Sequence, residues 1–415
     1  MLDLWLKNIK TCYTPHHTPP IHGAKMRDIL TLDDCHIGIE GNNIVWFSTA
    51  EPTQVDAHTI ILDCHDKIVL PGIIDMHTHL VHYGSREDET MKLLNGESYL
   101  DILKEGGGIL KSVRMTREAS FEQLLEKSIK HLDVMLLHGV TTIEAKSGYG
   151  LDEETELKQL RVSKALNEIH PIHIVSTYLG AHAIPQEYKH DVPAYIDLMK
   201  SLYPKIKQEK LATAIDVFFE SHVYDYKQTK QIIEDAKEFG FDIHLHADEI
   251  TSLNGAELAV KMKAKSADHL MAVSDKDIDV LANSETIANV LPMTSFFLNK
   301  SFAPVRKMID WGCAVALSSD FNPGSQPSEN IHFGMHLALT RMHMKPCEIL
   351  TAVTLQSAYA LGVSDRVGSI EVGKQADLIV INERNLESYL IHYGVNSVDT
   401  VISNGVIVVQ NGRRL

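Results

Sequence analysis

Cysteine is scarce in this chain: Cys12, Cys35, Cys64, Cys313 and Cys347 are the only five among 415 residues. They are widely separated, odd in number and never arranged as Cys-x-x-Cys. That argues against a disulfide framework and against a thiolate metal site, and for reduced thiols. Long apolar runs are missing too. No stretch of about 18 apolar residues occurs, so no segment is expected to span a bilayer. The N-terminus, Met1-Leu2-Asp3-Leu4-Trp5, lacks the basic-then-apolar order of a signal peptide, and a cytoplasmic location is expected. Cations are the third shortage. Lys and Arg total 39 against 55 Asp and Glu, a net charge of −16. Phosphate backbones and anionic membranes repel such a surface, so neither nucleic acid nor membrane is an expected partner, and a small molecule is. No fixed-period repeat or low-complexity tract suggests a solenoid or a tail.

What the chain does have is bulk and histidine. Hydrophobic residues make up 44%, enough in a chain of this length for more than one structural unit, and histidines number 23. Thr14-Pro15-His16-His17-Thr18-Pro19-Pro20 reads as an irregular loop with solvated histidines. Short β-like runs surround it, at Cys35 to Glu40, Ile44 to Phe47 and Thr59 to Leu62, punctuated by Gly41-Asn42-Asn43. From Pro71 the texture changes to β-branched runs alternating with helical segments. Strands are predicted at Ile73 to His79, Thr141 to Ala145, Ile174 to Tyr178, Ile215 to Glu220, Ile243 to His246, Ser266 to Leu270, Ile287 to Leu291 and Ala314 to Ser318. Between them, Ser120 and Gln123 form a capping box before an apolar stripe that ends at Gly139. Asp152 to His170 and Asp225 to Gly240 read the same way. Eight βα units over this length predict an α/β fold, a (β/α)8 TIM-type barrel across residues 71–370. After that, Ala376 to Ile381 is a strand, and Thr400 to Val409 is a hairpin turning at Asn404-Gly405. Residues 1–70 and 371–415 are each too small to stand alone and are expected to pair as one small β-sandwich domain.

The chemistry gathers at predicted strand ends. His77 and His79, in Asp75-Met76-His77-Thr78-His79, point to one face of the first strand, at the barrel mouth. In His244-Leu245-His246-Ala247-Asp248-Glu249, His246 is expected to reach the mouth. His244 is expected one layer deeper as a hydrogen-bonded core residue, and Glu249 at the height of a bound substrate. Asp268-His269 ends the sixth strand, and Asp320 follows the eighth. His77, His79, His246 and Asp320 together suit one borderline divalent ion, zinc or iron. With no Cys in the set, a bound water is expected, its pKa lowered toward ~7. His269 is then placed to orient or deprotonate that water, with Asp320 sharing the task.

These residues lie in motifs that resemble the amidohydrolase superfamily: Pro71-Gly72-Ile73-Ile74-Asp75-Met76-His77-Thr78-His79 and Gly373-Lys374-Gln375-Ala376-Asp377-Leu378. Longer motifs resemble the imidazolonepropionase family within it. They are Gly84-Ser85-Arg86-Glu87, Gly106-Gly107-Gly108-Ile109-Leu110, Glu144 to Leu151, Gly180 to Pro185, His246 to Glu249, Ser266 to Leu270 and Asp320 to Ser325. The resemblance runs through the whole chain, in order. It implies hydrolysis of 4-imidazolone-5-propanoate to N-formimidoyl-L-glutamate in histidine degradation, by attack of a metal-activated hydroxide on the ring carbonyl. It implies a mononuclear zinc or iron site on the same four ligands, and a homodimer. It carries substrate contacts onto Arg86, Tyr149, His182, Glu249, Asn322, Gly324 and Ser325; Glu249 also suits general acid–base work on a ring nitrogen, beside the roles read for His269 and Asp320. Two-metal relatives bridge their ions with a lysine on the fourth strand. Ile215 to Glu220 has none, and Lys146 lies on the second strand instead, which favours one ion. Arg86 suits a propanoate tail, its alternative being an ion pair with Glu87 or Asp88. Competing readings are a nucleobase deaminase sharing the metal set and a non-catalytic protein that kept the fold.

Overall fold

The structure, a computed structural model, describes residues 1–96 and 106–415. The chain opens with β1 (Leu4–Pro15), β2 (Ile29–Glu40), β3 (Asn43–Ser48), β4 (Ile60–Asp63) and β5 (Ile68–Pro71). Sequence pattern alone misses β1, because Lys7-Asn8 breaks its alternation. Asn8 takes φ 57°, and the β1–β2 register shifts there, so the strand runs on through a bulge.

The barrel strands follow: β6 (Ile73–Asp75), β7 (Val140–Lys146), β8 (His173–Ala181), β9 (Ala214–Phe219), β10 (Asp242–Ala247), β11 (Ser266–His269), β12 (Ile287–Val290) and β13 (Val315–Leu317). They pair in parallel and in sequence order. The regular ladder of β6 stops at Asp75, short of the predicted His79. Beyond it, the chain closes the ring against the segment after β13. The Asp320 amide donates to the His77 carbonyl at 3.1 Å, and the His79 amide to the Phe321 carbonyl at 2.8 Å. The seam that completes the barrel is therefore built from the residues that carry three of the predicted ligands.

Helices cover the ring. Ser120 and Gln123 form the reciprocal capping box ahead of Phe121–Leu137. Asp225 with Gln228 does the same before Tyr226–Glu238, and Asp152 caps Glu153–Ile169. Among the described residues, no helix is long and apolar enough to cross a membrane.

The chain returns to β structure with β14 (Leu378–Ile381), β15 (Val398–Ser403), β16 (Val406–Gln410) and β17 (Arg413–Arg414). The two termini do combine into one β unit. Its nine strands form a single continuous mixed sheet, ordered β17-β16-β15-β14-β5-β1-β2-β3, with β4 beside β1. Alternation divides the inner strands between two cores. Val69, Leu378, Val380 and Ile402 join the terminal unit's own cluster, whereas Ile68, Leu70, Ile379, Ile381 and Val401 join the barrel's. Burial on both faces explains why β5 and β14 read as unbroken apolar runs.

Candidate metal centre and active site

His77 and His79 stand two residues apart on the β6 extension, with ring centroids 5.4 Å apart. His246, from the end of β10, brings its ring to 4.6 Å from that of His77. Asp320 takes φ 59°, a conformation rare outside glycine, Asn and Asp, which turns the chain sharply after β13. Its Oδ1 lies 3.5 Å from His77 Nε2 and 3.6 Å from His79 Nε2. Those gaps are too long for hydrogen bonds. They match the roughly 3.4 Å between ligands of a tetrahedral ion with bonds of about 2.1 Å. Ligand atoms of His77, His79 and Asp320 all fall within 4.8 Å of one another, as do those of His77, His246 and His269. His77 belongs to both groups, so five side chains converge on one region.

The donor chemistry fits a divalent cation. His77 Nε2 is buried and has no hydrogen-bond partner, while its Nδ1 is held 2.6 Å from Asp268 Oδ2. A buried imidazole nitrogen left unpaired is costly, and a cation is the partner that would satisfy it. Burial, followed by neighbouring cationic groups, drives the His77 and His79 pKa values well below the usual range, so both rings are neutral as ligands must be. Asp320 Oδ2 accepts from the Thr294 hydroxyl at 2.5 Å. Burial pushes its carboxyl up to about 7.

His269 closes the far side, at φ 79°, with both ring nitrogens buried and unpartnered and Nε2 3.6 Å from Glu249 Oε2. Burial, then the charges of Asp320 and Glu220, raises Glu249 to about 8. His244 is where a core histidine belongs: its Nδ1 meets Ser266 Oγ at 2.8 Å, below the rim.

The other predicted residues form the wall. The His182 ring stacks on that of His79 at 5.0 Å and its Nδ1 bonds the Gly148 carbonyl at 3.0 Å. Tyr149 is buried beside both, 5.7 Å from His79 and 5.3 Å from His182 between ring centroids. Arg86 pairs with neither Glu87 nor Asp88. Its Nε donates to Glu89 Oε2 at 3.0 Å, and the rest of the guanidinium lies across Gly324. A Cβ on Gly324 would meet Arg86 Nη1 at 2.3 Å, so only glycine leaves the cation in place. Asn322 is committed to the turn itself. Its Oδ1 accepts from the Gly324 and Ser325 amides at 2.8 Å each, and its Nδ2 donates to the Asp320 carbonyl at 2.7 Å. Ser325 Oγ is within 2.9 Å of the same Nδ2. Asn322 and Ser325 thus shape the loop that carries Asp320 and faces Arg86.

Sequence reasoning singled out Asp268 and Lys146 but missed the buried layer they form with Asp216 and Glu144. Asp268, Asp216, Glu144 and Lys146 are all buried there, with His246 Nδ1 3.0 Å from Asp216 Oδ2. A Glu-x-Lys pair on one face of a buried strand was the available signal, since charges in a barrel interior need partners. Glu89 and Thr294 gave no signal of their own.

Comparison with known proteins identifies the family and the fold. The model of the amidohydrolase family matches residues 68–408. The chain is 47% identical over 414 residues to the imidazolonepropionase of Bacillus cytotoxicus, covering 99% of this chain and 98% of that one. It is 46% identical to the imidazolonepropionase of Caldanaerobacter subterraneus, covering 98% and 99%. In fold it resembles a zinc-bound adenosine deaminase from Xanthomonas campestris, with a TM-score of 0.68, 18% identity and 100% and 94% of the two chains covered. It also resembles the atrazine chlorohydrolase of Arthrobacter aurescens in complex with zinc and atraton, at 0.70 and 18%, with 99% and 96% covered. The family model's match to residues 68–408, and near-half identity over nearly the whole length of these relatives, place the chain in the amidohydrolase family, among the imidazolonepropionases.

Proposed function

We propose that the chain hydrolyses the ring amide of 4-imidazolone-5-propanoate to N-formimidoyl-L-glutamate, holding one zinc or iron ion on His77, His79, His246 and Asp320. The observation that carries this reading is the meeting of two features in one turn. Asp320 faces the unpaired His77 Nε2 at 3.5 Å, and Gly324, four residues on, supports the Arg86 guanidinium. A cation that can bind a carboxylate therefore stands beside a site that can bind a metal, which suits a substrate with a reactive carbonyl and a propanoate tail.

When bound, the ion supplies Lewis-acid polarisation of the carbonyl and lowers the pKa of water toward ~7. The chain's residues do the rest. Arg86, with Glu89 holding its Nε edge, offers its remaining nitrogens to the propanoate. Tyr149 and His182 line the wall against His79 and offer ring faces and edges to a flat substrate ring. Asp320 takes the proton of the attacking water, and His269 orients that water. Glu249, at about 8, is protonated near neutral pH and delivers a proton to the ring nitrogen as the carbonyl–nitrogen bond breaks. The water's hydroxyl ends on the carbonyl carbon and a proton on the departing nitrogen. A deaminase would need contacts for an exocyclic amine and would leave Arg86 without a task.

The test compares two compounds by loss of ultraviolet absorbance, with mass spectrometry of products. The imidazolone bearing the propanoate is expected to yield N-formimidoyl-glutamate, and the analogue without the carboxylate to react at least ~100-fold more slowly in kcat/KM. Equal turnover of both, or ammonia release from an aminated ring in preference, would refute the assignment.

A further inference from the structure

The mechanism leaves unused a cluster of four ionisable groups sealed inside the barrel beneath the rim. Lys146 (β7) places Nζ 2.7 Å from Glu144 Oε2, 2.8 Å from Asp216 Oδ2 on β9 and 3.9 Å from Asp268 Oδ2 on β11. Each of the four side chains is fully buried. Glu144 is further tied to the Thr177 hydroxyl. Two of the carboxylates point upward as well. Asp268 Oδ2 is hydrogen-bonded to His77 Nδ1 at 2.6 Å, and Asp216 Oδ2 lies 3.0 Å from His246 Nδ1 as an ion-pair contact, off the line of a hydrogen bond. The oxygens facing Lys146 and those facing the two imidazoles are the same atoms. One ammonium therefore sits within ion-pair reach of both carboxylates, on strands that are not neighbours.

A buried lysine among three carboxylates is not a cheap way to build a core, since apolar residues of similar volume stabilise as well or better. Its geometry has a second use. A carboxylate that accepts from Nδ1 sets the tautomer and the ring plane, and so aims the Nε2 lone pair. We propose that Lys146 is a positioning residue: through Asp268 and Asp216 it locks His77 and His246 with their Nε2 atoms turned to the rim, preorganising two of the metal ligands at once. This rests on the ligand roles given under the proposed function. It also assigns Glu144 as the counter-anion that keeps the ammonium centred between the two other carboxylates.

The test measures zinc affinity of the full-length protein by competition with a chromophoric chelator, alongside thermal stability. Lys146→Met is expected to weaken zinc binding about 10- to 100-fold, the usual effect of losing support behind a ligand. Val162→Ala, a cavity in the helix Glu153–Ile169 away from the cluster, is expected to lower stability and leave zinc affinity alone. His246→Ala tests the underlying ligand assignment. If it leaves zinc affinity unchanged, that assignment fails and the positioning role falls with it. If it weakens zinc while Lys146→Met stays within threefold of the parent, the positioning role alone is overturned. Should Lys146→Met not fold, Lys146→Met with Glu144→Gln removes one charge of each sign and takes its place, with the same two outcomes. Should neither fold, nitrogen-15 ring shifts of the metal-free parent decide. Protons on Nδ1 of both His77 and His246 support the role, and a proton on Nε2 of either overturns it.

Discussion

At the scale of single residues, the side chains of the candidate site are held by partners that sequence alone does not announce. Arg86 is the clearest case. The motif Gly84-Ser85-Arg86-Glu87 suggests pairing with the adjacent acids, yet the partner is Glu89, one turn along the helix Glu87–Leu94, which also accepts from the Gly108 amide at 3.1 Å. Its other face is set by Gly324. Gly324→Ala is expected to push the flexible guanidinium aside without disturbing the backbone. KM for the imidazolone should rise about 10- to 100-fold, the worth of a charge-assisted contact, with kcat and thermal midpoint nearly constant. Steady-state kinetics with a melting curve check this, and an unchanged KM would remove Arg86 from the substrate. The convergence of His77, His79, His246 and Asp320 was legible because His-x-His and the residues after apolar strands mark a rim. The contacts of Asp268 and Asp216 beneath the imidazoles were not, because an Asp inside a strand looks the same in sequence whether it caps, pairs or supports.

At the scale of elements, the strongest local signals were the ones that use backbone chemistry directly. The Ser120–Gln123 capping box and the Asn404-Gly405 turn stand where the residues put them, Asn404 at φ 52° and Gly405 at φ 79°. What could not be read was how far strands run. β1 passes through a bulge at Asn8, and β6 gives up its regular ladder at Asp75 so that His77 and His79 can bond across to the Asp320 segment. Tertiary closure overrides the local pattern there. The turn at Gly405 also has a long-range task. A Cβ on it would meet the Gly41 carbonyl at 2.2 Å, so the C-terminal hairpin presses on the β2–β3 turn. Gly405→Ala combines that collision of backbones with a positive φ, and should cost at least about 2 kcal/mol in urea unfolding. Ser120→Ala should cost about 1 kcal/mol. A Gly405→Ala loss smaller than that of Ser120→Ala would mean the two turns are not in firm contact.

At the scale of the whole molecule, two cores share strands β5, β14 and β15, so the terminal unit and the barrel are joined by packing and not merely by chain connection. Buried histidines add a pH dependence to that assembly. Burial lowers His170 to about 4, and burial lowers His332, whose ring stacks on Tyr389 at 4.3 Å, to about 4 as well. The unfolded chain holds the ordinary value near 6.5, so between about 6.5 and 4 it binds more protons than the folded one. Their contribution is therefore complete above about 6.5 and is lost as pH falls toward 4. The thermal midpoint should drop across that interval, and less steeply in His332→Gln; parallel curves for parent and variant would exclude this histidine as a source. The most direct measurement overall is a metal titration of chelator-stripped protein, following imidazolone consumption as zinc or iron is returned. Activity should be absent at the start and climb in proportion to added ion until one equivalent per chain. Turnover by the stripped protein, or a requirement for two equivalents, would contradict a single ion held by His77, His79, His246 and Asp320.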